Sequence, residues 1–245
     1  MKTEIRAMIL SAGFGIRMQK AGDQTPKPLV RVRGRPLIHY PLLLLSRAGF
    51  QEVIINLHHR GEEIQSEIGE SALGMKIHYL SEPEILGTGG GIKNAHRHFP
   101  SRLWLTLNAD TIIDLDLKDL IAFHQKHHPL ATMVLTRSKL GEFNTVFADS
   151  KDLIRKIGSR PETRDLSLTL SAFNYCGAQL IRSELLDYLP EGRSKIIEHG
   201  YLKVLEKEQV LGYIFNGLWI PIDTPEAKTQ AEKELIASAP QFLKF

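Results

Sequence analysis

The 245-residue chain has one cysteine, Cys176, so no intrachain disulfide can form. That usage fits a reducing compartment. Long hydrophobic runs are also missing. The most apolar stretch, Pro41-Leu42-Leu43-Leu44-Leu45, is far too short to cross a bilayer and reads as part of a core helix. The opening residues Met1 to Glu4 lead into a strand of about six apolar-rich residues, shorter than the apolar region of a secretory signal. A cytoplasmic protein with no membrane partner is expected. Charge of one sign is not in excess: 31 basic residues face 28 acidic ones, for a net +3. With that balance and no basic run, no nucleic-acid partner is expected. The ten histidines add positive charge only in mild acid. There is no repeat, no low-complexity segment and no visible linker. A hydrophobic content of 42% is enough to bury a sizeable core, which admits one large domain or two small ones.

Two familiar glycine-loop signatures are absent as well. The first apolar run ends in Ser11-Ala12-Gly13-Phe14-Gly15-Ile16-Arg17. A dinucleotide fingerprint needs a third glycine where Met18 stands, and a Walker loop needs Gly-Lys-Ser/Thr where Ile16-Arg17 follow Gly15. What is present is a buried strand, a loop whose two glycines let backbone N–H groups approach an anion closely, and two cations, Arg17 and Lys27, the second inside Thr25-Pro26-Lys27-Pro28. A triphosphate needs that combination.

The first half of the chain alternates strands, over 6–10, 52–56, 76–80 and 103–107, with helices over 36–48, 61–68, 90–98 and 117–127. Alternation of this kind implies a mainly parallel sheet with right-handed crossovers. Ligands then bind beyond the carboxyl ends of the strands. The loops that leave the four strands each carry chemically loaded residues. The second half is less regular. Strands are expected over 131–136, 145–148, 153–157, 171–180 and 210–215, several of them antiparallel, and helices over 194–207 and 225–239. Residues 142–144 and 158–165 read as loops, and an extension near 140–175 is placed to cover a ligand.

The motif AGFGIRM followed by TPKPLV resembles the opening of the sugar-1-phosphate nucleotidyltransferases. The resemblance is close over roughly the first 110 residues and looser beyond. It implies an α/β fold: a single-domain, Rossmann-like, mixed but mainly parallel sheet flanked by helices, of the nucleotide-diphospho-sugar transferase type. Residues 1–130 would form the nucleotide-binding half and 131–245 the sugar-phosphate half. The implied reaction joins an NTP to a sugar 1-phosphate, giving an NDP-sugar and pyrophosphate. The implied cofactor is Mg²⁺.

Carried onto matching positions, the resemblance gives Arg17, Lys27 and Asp110 catalytic roles. Ala12, Gly13 and Gly15 would hold the triphosphate. Asp110 ends an apolar strand in Asn108-Ala109-Asp110, where the family has Gly-Asp, and presents an oxygen ligand to Mg²⁺. The late segment Trp219-Ile220-Pro221-Ile222-Asp223-Thr224-Pro225-Glu226 resembles Trp-x-Asp-Ile-Gly-Thr-Pro-Glu, but Pro221 replaces the metal-binding Asp and Asp223 replaces the glycine. Asp223 is either a second metal ligand, since a strand returns to the same face after two residues, or a cap, with Thr224, for the helix that follows.

The glycine cluster Gly87-Thr88-Gly89-Gly90-Gly91 lies between a strand and a helix and is placed to cradle a ligand at the helix N-terminus; the resemblance implies that this ligand is the nucleotide, with Glu82 reading the base edge. A carboxylate only accepts, so it suits a base with an N–H donor, as in uracil or guanine. The wording of this segment resembles the N-acetylmuramate-1-phosphate uridylyltransferases, and next the mannose-1-phosphate guanylyltransferases, so UTP is favoured and GTP is the alternative. Asn108, Arg160 and Gly177 fall at the sugar-phosphate positions; Arg160 is a phosphate clamp or a plain loop charge. Asn56 reads as a strand-end hydrogen-bonding residue. The histidine pairs, His124 with His128 and His96 with His98, read as solvated helix faces. Rival classes are a glycosyltransferase using Asp114-Leu115-Asp116, a cytidylyltransferase acting on an alcohol phosphate, and a non-catalytic nucleotide-sugar sensor. The oligomeric state is not legible.

Overall fold

The computed structural model describes residues 5–15, 25–137, 145–158 and 169–238. In chain order the elements are β1 (Ile5–Leu10), β2 (Arg31–Val32), β3 (Arg35–Pro36), α1 (His39–Ala48), β4 (Glu52–Leu57), α2 (Gly61–Ile68), β5 (Ser71–Ala72), β6 (Met75–Ser81), α3 (Gly87–His98), β7 (Leu103–Asn108), β8 (Thr111–Ile113), α4 (Leu117–His127), β9 (Ala131–Arg137), β10 (Thr145–Ala148), β11 (Ile154–Ile157), β12 (Ser171–Arg182), a π turn (Ile197–Tyr201) running into α5 (Leu202–Val204), β13 (Val210–Ile214), β14 (Trp219–Pro221) and α6 (Pro225–Ser238).

The chain forms two compact units that interleave in sequence. One comprises residues 7–85, 107–117 and 217–245, the other residues 1–6, 86–106 and 118–216. In the first, the glycine-loop unit, β1, β4 and β6 pair in parallel in that order, with Leu10 opposite Asn56 and Leu57 opposite Ser81. The continuous burial of Val53 to Leu57 is what a parallel strand covered on both faces requires. In the second unit β9 pairs antiparallel with β12 and parallel with β13, and β12 pairs antiparallel with β10, which pairs antiparallel with β11. The sheet class is therefore the mixed one expected.

Several local expectations need correction. The helix expected from 36 begins at His39, because Pro36 pairs with Arg31 in a small hairpin. Its turn holds Arg33 and Gly34 at φ 50° and 75°, the double left-handed geometry of a tight two-residue connection. Gly49, at φ 92°, closes α1 with its N–H on the Leu45 and Ser46 carbonyls, a left-handed end that glycine adopts without strain. The stretch after Asp110, expected as a loop, is β8, antiparallel to β14 with Thr111 opposite Pro221 and Ile113 opposite Trp219. The helix expected over 194–207 is the shorter π turn and α5.

The glycine cluster forms the first turn of α3 rather than a loop before it. The N–H groups of Gly89 and Gly90 donate to the Ser194 carbonyl at 2.9 and 3.2 Å, and the Ser194 N–H donates to the Leu86 carbonyl at 2.8 Å. A Cβ on Gly87 would stand 2.6 Å from the Ser194 carbonyl oxygen. These glycines thus admit a neighbouring backbone segment of their own unit. In the same unit His124 is not solvated: it is buried, with Nδ1 2.8 Å from Thr132 Oγ1. His96 is half-buried and its Nδ1 accepts the Trp104 indole N–H at 3.2 Å. His98 and His128 are exposed, as expected.

Candidate active site

The site grows from one apolar cluster of the glycine-loop unit. Val30, Val32, Leu37, Tyr40, Leu43, Ile112, Ile220, Ile222, Ala231 and Leu235 pack together. They come from three separated chain segments, and each segment carries one polar residue toward the same place. Just before Val30 lies Lys27, just before Ile112 lies Asp110, and just after Ile222 lies Asp223. The segments are tied further by main-chain bonds, from Ile222 N–H to the Asp110 carbonyl at 3.0 Å and from Ala109 N–H to the Leu10 carbonyl at 3.1 Å.

Lys27 opens a 3-10 turn, Lys27–Leu29, with Pro26 before it and buried Pro28 within it. The two prolines restrict the backbone on both sides of the lysine. The Leu29 N–H closes on the Pro26 carbonyl at 2.7 Å. So held, the Lys27 ammonium lies 2.5 Å from Asp110 Oδ2 and 2.6 Å from Asp223 Oδ1. Its side chain is only 12% exposed, against 33% for Asp110 and 20% for Asp223. One ammonium between two carboxylates leaves this trio with a net negative charge.

These three residues line a cavity of about 300 Å³ together with Leu10, Ser11, Gly13, Phe14, Gly15, Pro28 and Ala109. Asp114 and Asp116, the pair that a glycosyltransferase would use, are absent from that lining. Gly15 adopts φ 63°, and a Cβ there would meet Lys27 Cβ at 3.0 Å; a Cβ on Gly13 would meet nothing within 4 Å. The first glycine leaves room on the cavity wall, and the second permits a conformation and a close approach. Ser11 Oγ, buried on the same wall, has no hydrogen-bond partner among the described residues. Phe14 stands 40% exposed, edge-on to His58 with ring centres 5.3 Å apart.

At the carboxyl ends of the parallel strands runs a chain of buried bonds. The Ser11 N–H donates to Asn56 Oδ1 at 2.9 Å, and Asn56 Nδ2 donates to Glu82 Oε1 at 2.7 Å. His58 Nδ1 sits 2.8 Å from the Glu82 carbonyl, and the Glu82 N–H donates to the Leu57 carbonyl at 2.7 Å. Glu82 is 3% exposed and does not line the cavity.

Of the residues expected from sequence, the structure brings Gly13, Gly15, Lys27, Asp110 and Asp223 to one cavity. Ala12 is buried beside them in the chain. Asn108 ends β7. The choice between ligand and cap for Asp223 is clarified by Thr224, whose Oγ1 accepts the Ala227 N–H at 3.2 Å and caps α6, while the Asp223 carboxylate turns to Lys27. Gly87 and Thr88 belong to the other unit, where Thr88 Oγ1 accepts the Ile196 N–H at 3.0 Å. Gly177, also there, has φ 77° beside an irregularity of β12. Cys176 is buried, and burial pushes its thiol pKa up, away from reactivity. Arg17 and Arg160 lie outside the described residues. Sequence reasoning missed the link of Asn56 to Ser11, because a strand gives no sign of which residue lies beside it in the next.

Two carboxylates held about one cation fit the ligand chemistry of Mg²⁺, which takes one or two protein carboxylates and completes its shell with phosphate oxygens and water. Among the described residues no larger group of metal-ligating side chains occurs, and no helix is long and apolar enough to cross a membrane.

The chain matches the nucleotidyl transferase family over residues 6–238, and it belongs to that family. It is 31% identical over 223 residues to the N-acetylmuramate alpha-1-phosphate uridylyltransferase of Neisseria meningitidis, covering 90% of this chain and 94% of that one. To the mannose-1-phosphate guanylyltransferase of Mycobacterium tuberculosis it is 27% identical over 240 residues, covering 95% of this chain but 65% of the relative. The chain thus spans about two thirds or less of the guanylyltransferases of that kind. Its fold is shared with HddC from Yersinia pseudotuberculosis, solved in complex with GMP-PN, at a TM-score of 0.76 and 21% identity over 94% of this chain and 99% of the other.

Proposed function

We propose that this chain is a sugar-1-phosphate nucleotidyltransferase, which joins an NTP to a sugar 1-phosphate and releases pyrophosphate. The observation that carries the reading is the Lys27 ammonium seated between Asp110 and Asp223 in the cavity walled by Gly13 and Gly15. In this reading the whole chain serves one reaction, with residues 1–130 chiefly toward the nucleotide and 131–245 chiefly toward the sugar phosphate.

The attacking oxygen of a sugar phosphate is already anionic, so no general base is required. Catalysis then rests on positioning and on neutralising charge. Main-chain N–H groups of Ala12 to Gly15 hold the triphosphate. Arg17 neutralises its outer phosphates and the departing pyrophosphate. Lys27 contacts the α-phosphate, where charge accumulates. Asp110 and Asp223 are the residues that would hold Mg²⁺, which when bound supplies positive charge to the reacting phosphates. Arg160 and Asn108 serve the sugar phosphate. UTP is the favoured nucleotide on the 31% identity to the Neisseria uridylyltransferase, and GTP is the alternative on the 27% identity to guanylyltransferases.

The test is pyrophosphate release from five NTPs against a panel of sugar 1-phosphates with Mg²⁺. One NTP and sugar-phosphate pair should dominate. In that pair Lys27→Ala should lower kcat by about 10²- to 10³-fold while weakening NTP binding far less. Equal losses in both would remove Lys27 from its role at the α-phosphate, and no pyrophosphate from any pair would remove the function.

A further inference from the structure

We infer that Asn56 is a positioning residue that ties the start of the triphosphate-binding loop to the Glu82 carboxylate. This inference rests on the function proposed above. Ser11 is the last residue fixed beside the sheet before the glycine loop opens into the cavity. Its N–H is held at 2.9 Å by Asn56 Oδ1, and Asn56 in turn gives an Nδ2 hydrogen to Glu82 Oε1 at 2.7 Å. The direction of the amide is dictated by its neighbours. A main-chain N–H can only donate and an ionised carboxylate can only accept, so Asn56 must place its oxygen toward Ser11 and its nitrogen toward Glu82.

The three residues sit at the ends of three adjacent parallel strands, with Leu10 opposite Asn56 and Leu57 opposite Ser81. Ser11, Asn56 and Glu82 are 5%, 3% and 3% exposed. Buried this deeply, the bonds are not traded for bonds to water. Asn56 is separated from any transferred phosphate by Ser11, so its effect is on the shape of the loop that meets the triphosphate. The cost of losing it should fall on NTP binding, with little on the sugar phosphate.

A reciprocal exchange tests this. Asn56→Ala removes both bonds. Asn56→Asp with Glu82→Gln rebuilds them in a swapped form, because an aspartate still accepts from Ser11 and a glutamine amide donates to it. NTP affinity by calorimetry and KM for both substrates are read alongside the thermal midpoint. Asn56→Ala should weaken NTP binding about tenfold or more, with KM for the sugar phosphate and kcat changed by about twofold or less. The swap should bring NTP affinity to within about threefold of wild type. Equal rises in both KM values, a loss of stability with unchanged NTP affinity, or a swap that folds and binds as poorly as Asn56→Ala would each overturn the tether. Should Asn56→Ala fail to fold, the swap decides alone: wild-type-like NTP affinity supports the tether, and a tenfold deficit or failure to fold overturns it. Wild-type protein that binds no NTP would instead sink the proposed function, which separates the two failures.

Discussion

Single residues at the cavity differ sharply in what they must do, and the two loop glycines show it. Gly15 has φ 63° and its hydrogen faces Lys27 Cβ, whereas the space beside Gly13 is open. Gly15→Ala should cost about 1–2 kcal/mol from the left-handed backbone alone. It should also disturb Lys27, so both stability and turnover fall. Gly13→Ala should leave stability within about 0.5 kcal/mol and instead fill part of the cavity, weakening NTP binding. Urea titrations and NTP affinities of the two variants check this; equal losses of stability would refute the division. At this scale the sequence was informative where chemistry is local. The Pro-Lys-Pro segment, the Asp ending an apolar strand and the Asp two places after Pro221 all met at one cavity. It was uninformative where a role depends on a distant neighbour. Nothing in Ser194 announces that its carbonyl takes the N–H groups of Gly89 and Gly90, and nothing in Asn56 names Ser11 or Glu82.

Elements read well when their apolar residues recur regularly and their ends carry turn residues. β1, β4, α2 and α4 fall within a residue of expectation, and β6 and β9 do as well. Short elements stabilised only by a remote partner did not read: β8 exists because β14 lies beside it, and the β2–β3 hairpin cut the expected helix short. α4 carries the clearest misreading, since His124 and His128 share helical spacing but not environment. Burial, with the charges of Arg182 and His128 assisting, lowers the His124 pKa to about 4. An unfolded histidine binds a proton near pH 6.5. Between those values the unfolded chain holds the proton and the folded chain does not. The contribution of His124 to stability is therefore complete above pH 6.5 and is lost as pH falls toward 4, by up to roughly 3 kcal/mol. Chemical denaturation from pH 7.5 to 4.5 should show this slope in wild type and a flatter one in His124→Gln, whose amide also reaches Thr132. Identical slopes would assign the acid sensitivity elsewhere.

Across the whole molecule, the division into two units follows no single cut in the chain: each is assembled from three separate stretches, and both boundaries near residues 6 and 106 fall inside strands. Hydrophobic periodicity reports on local segments only, so that interleaving was beyond a reading along the sequence. What the whole chain does thermodynamically can still be argued. A ligand that binds only the folded state raises its stability by RT ln(1 + [L]/Kd), about 2.7 kcal/mol at a hundred times Kd. For a chain of this size each kcal/mol moves the midpoint by about 2–4 °C. The preferred NTP with Mg²⁺ should therefore raise the midpoint by roughly 5–11 °C at that concentration. Removing divalent ions with a chelator should cancel most of the gain, because Asp110 and Asp223 then repel the phosphates, and the Asp110→Asn, Asp223→Asn double variant should shrink the difference that the chelator makes. A full thermal shift that persists in chelator would show that the two carboxylates do not recruit a metal for the nucleotide. UTP and GTP compared in the same assay decide the base: the larger gain marks the base that the chain takes, and equal gains for UTP, GTP, CTP and ATP would show that the base is not read.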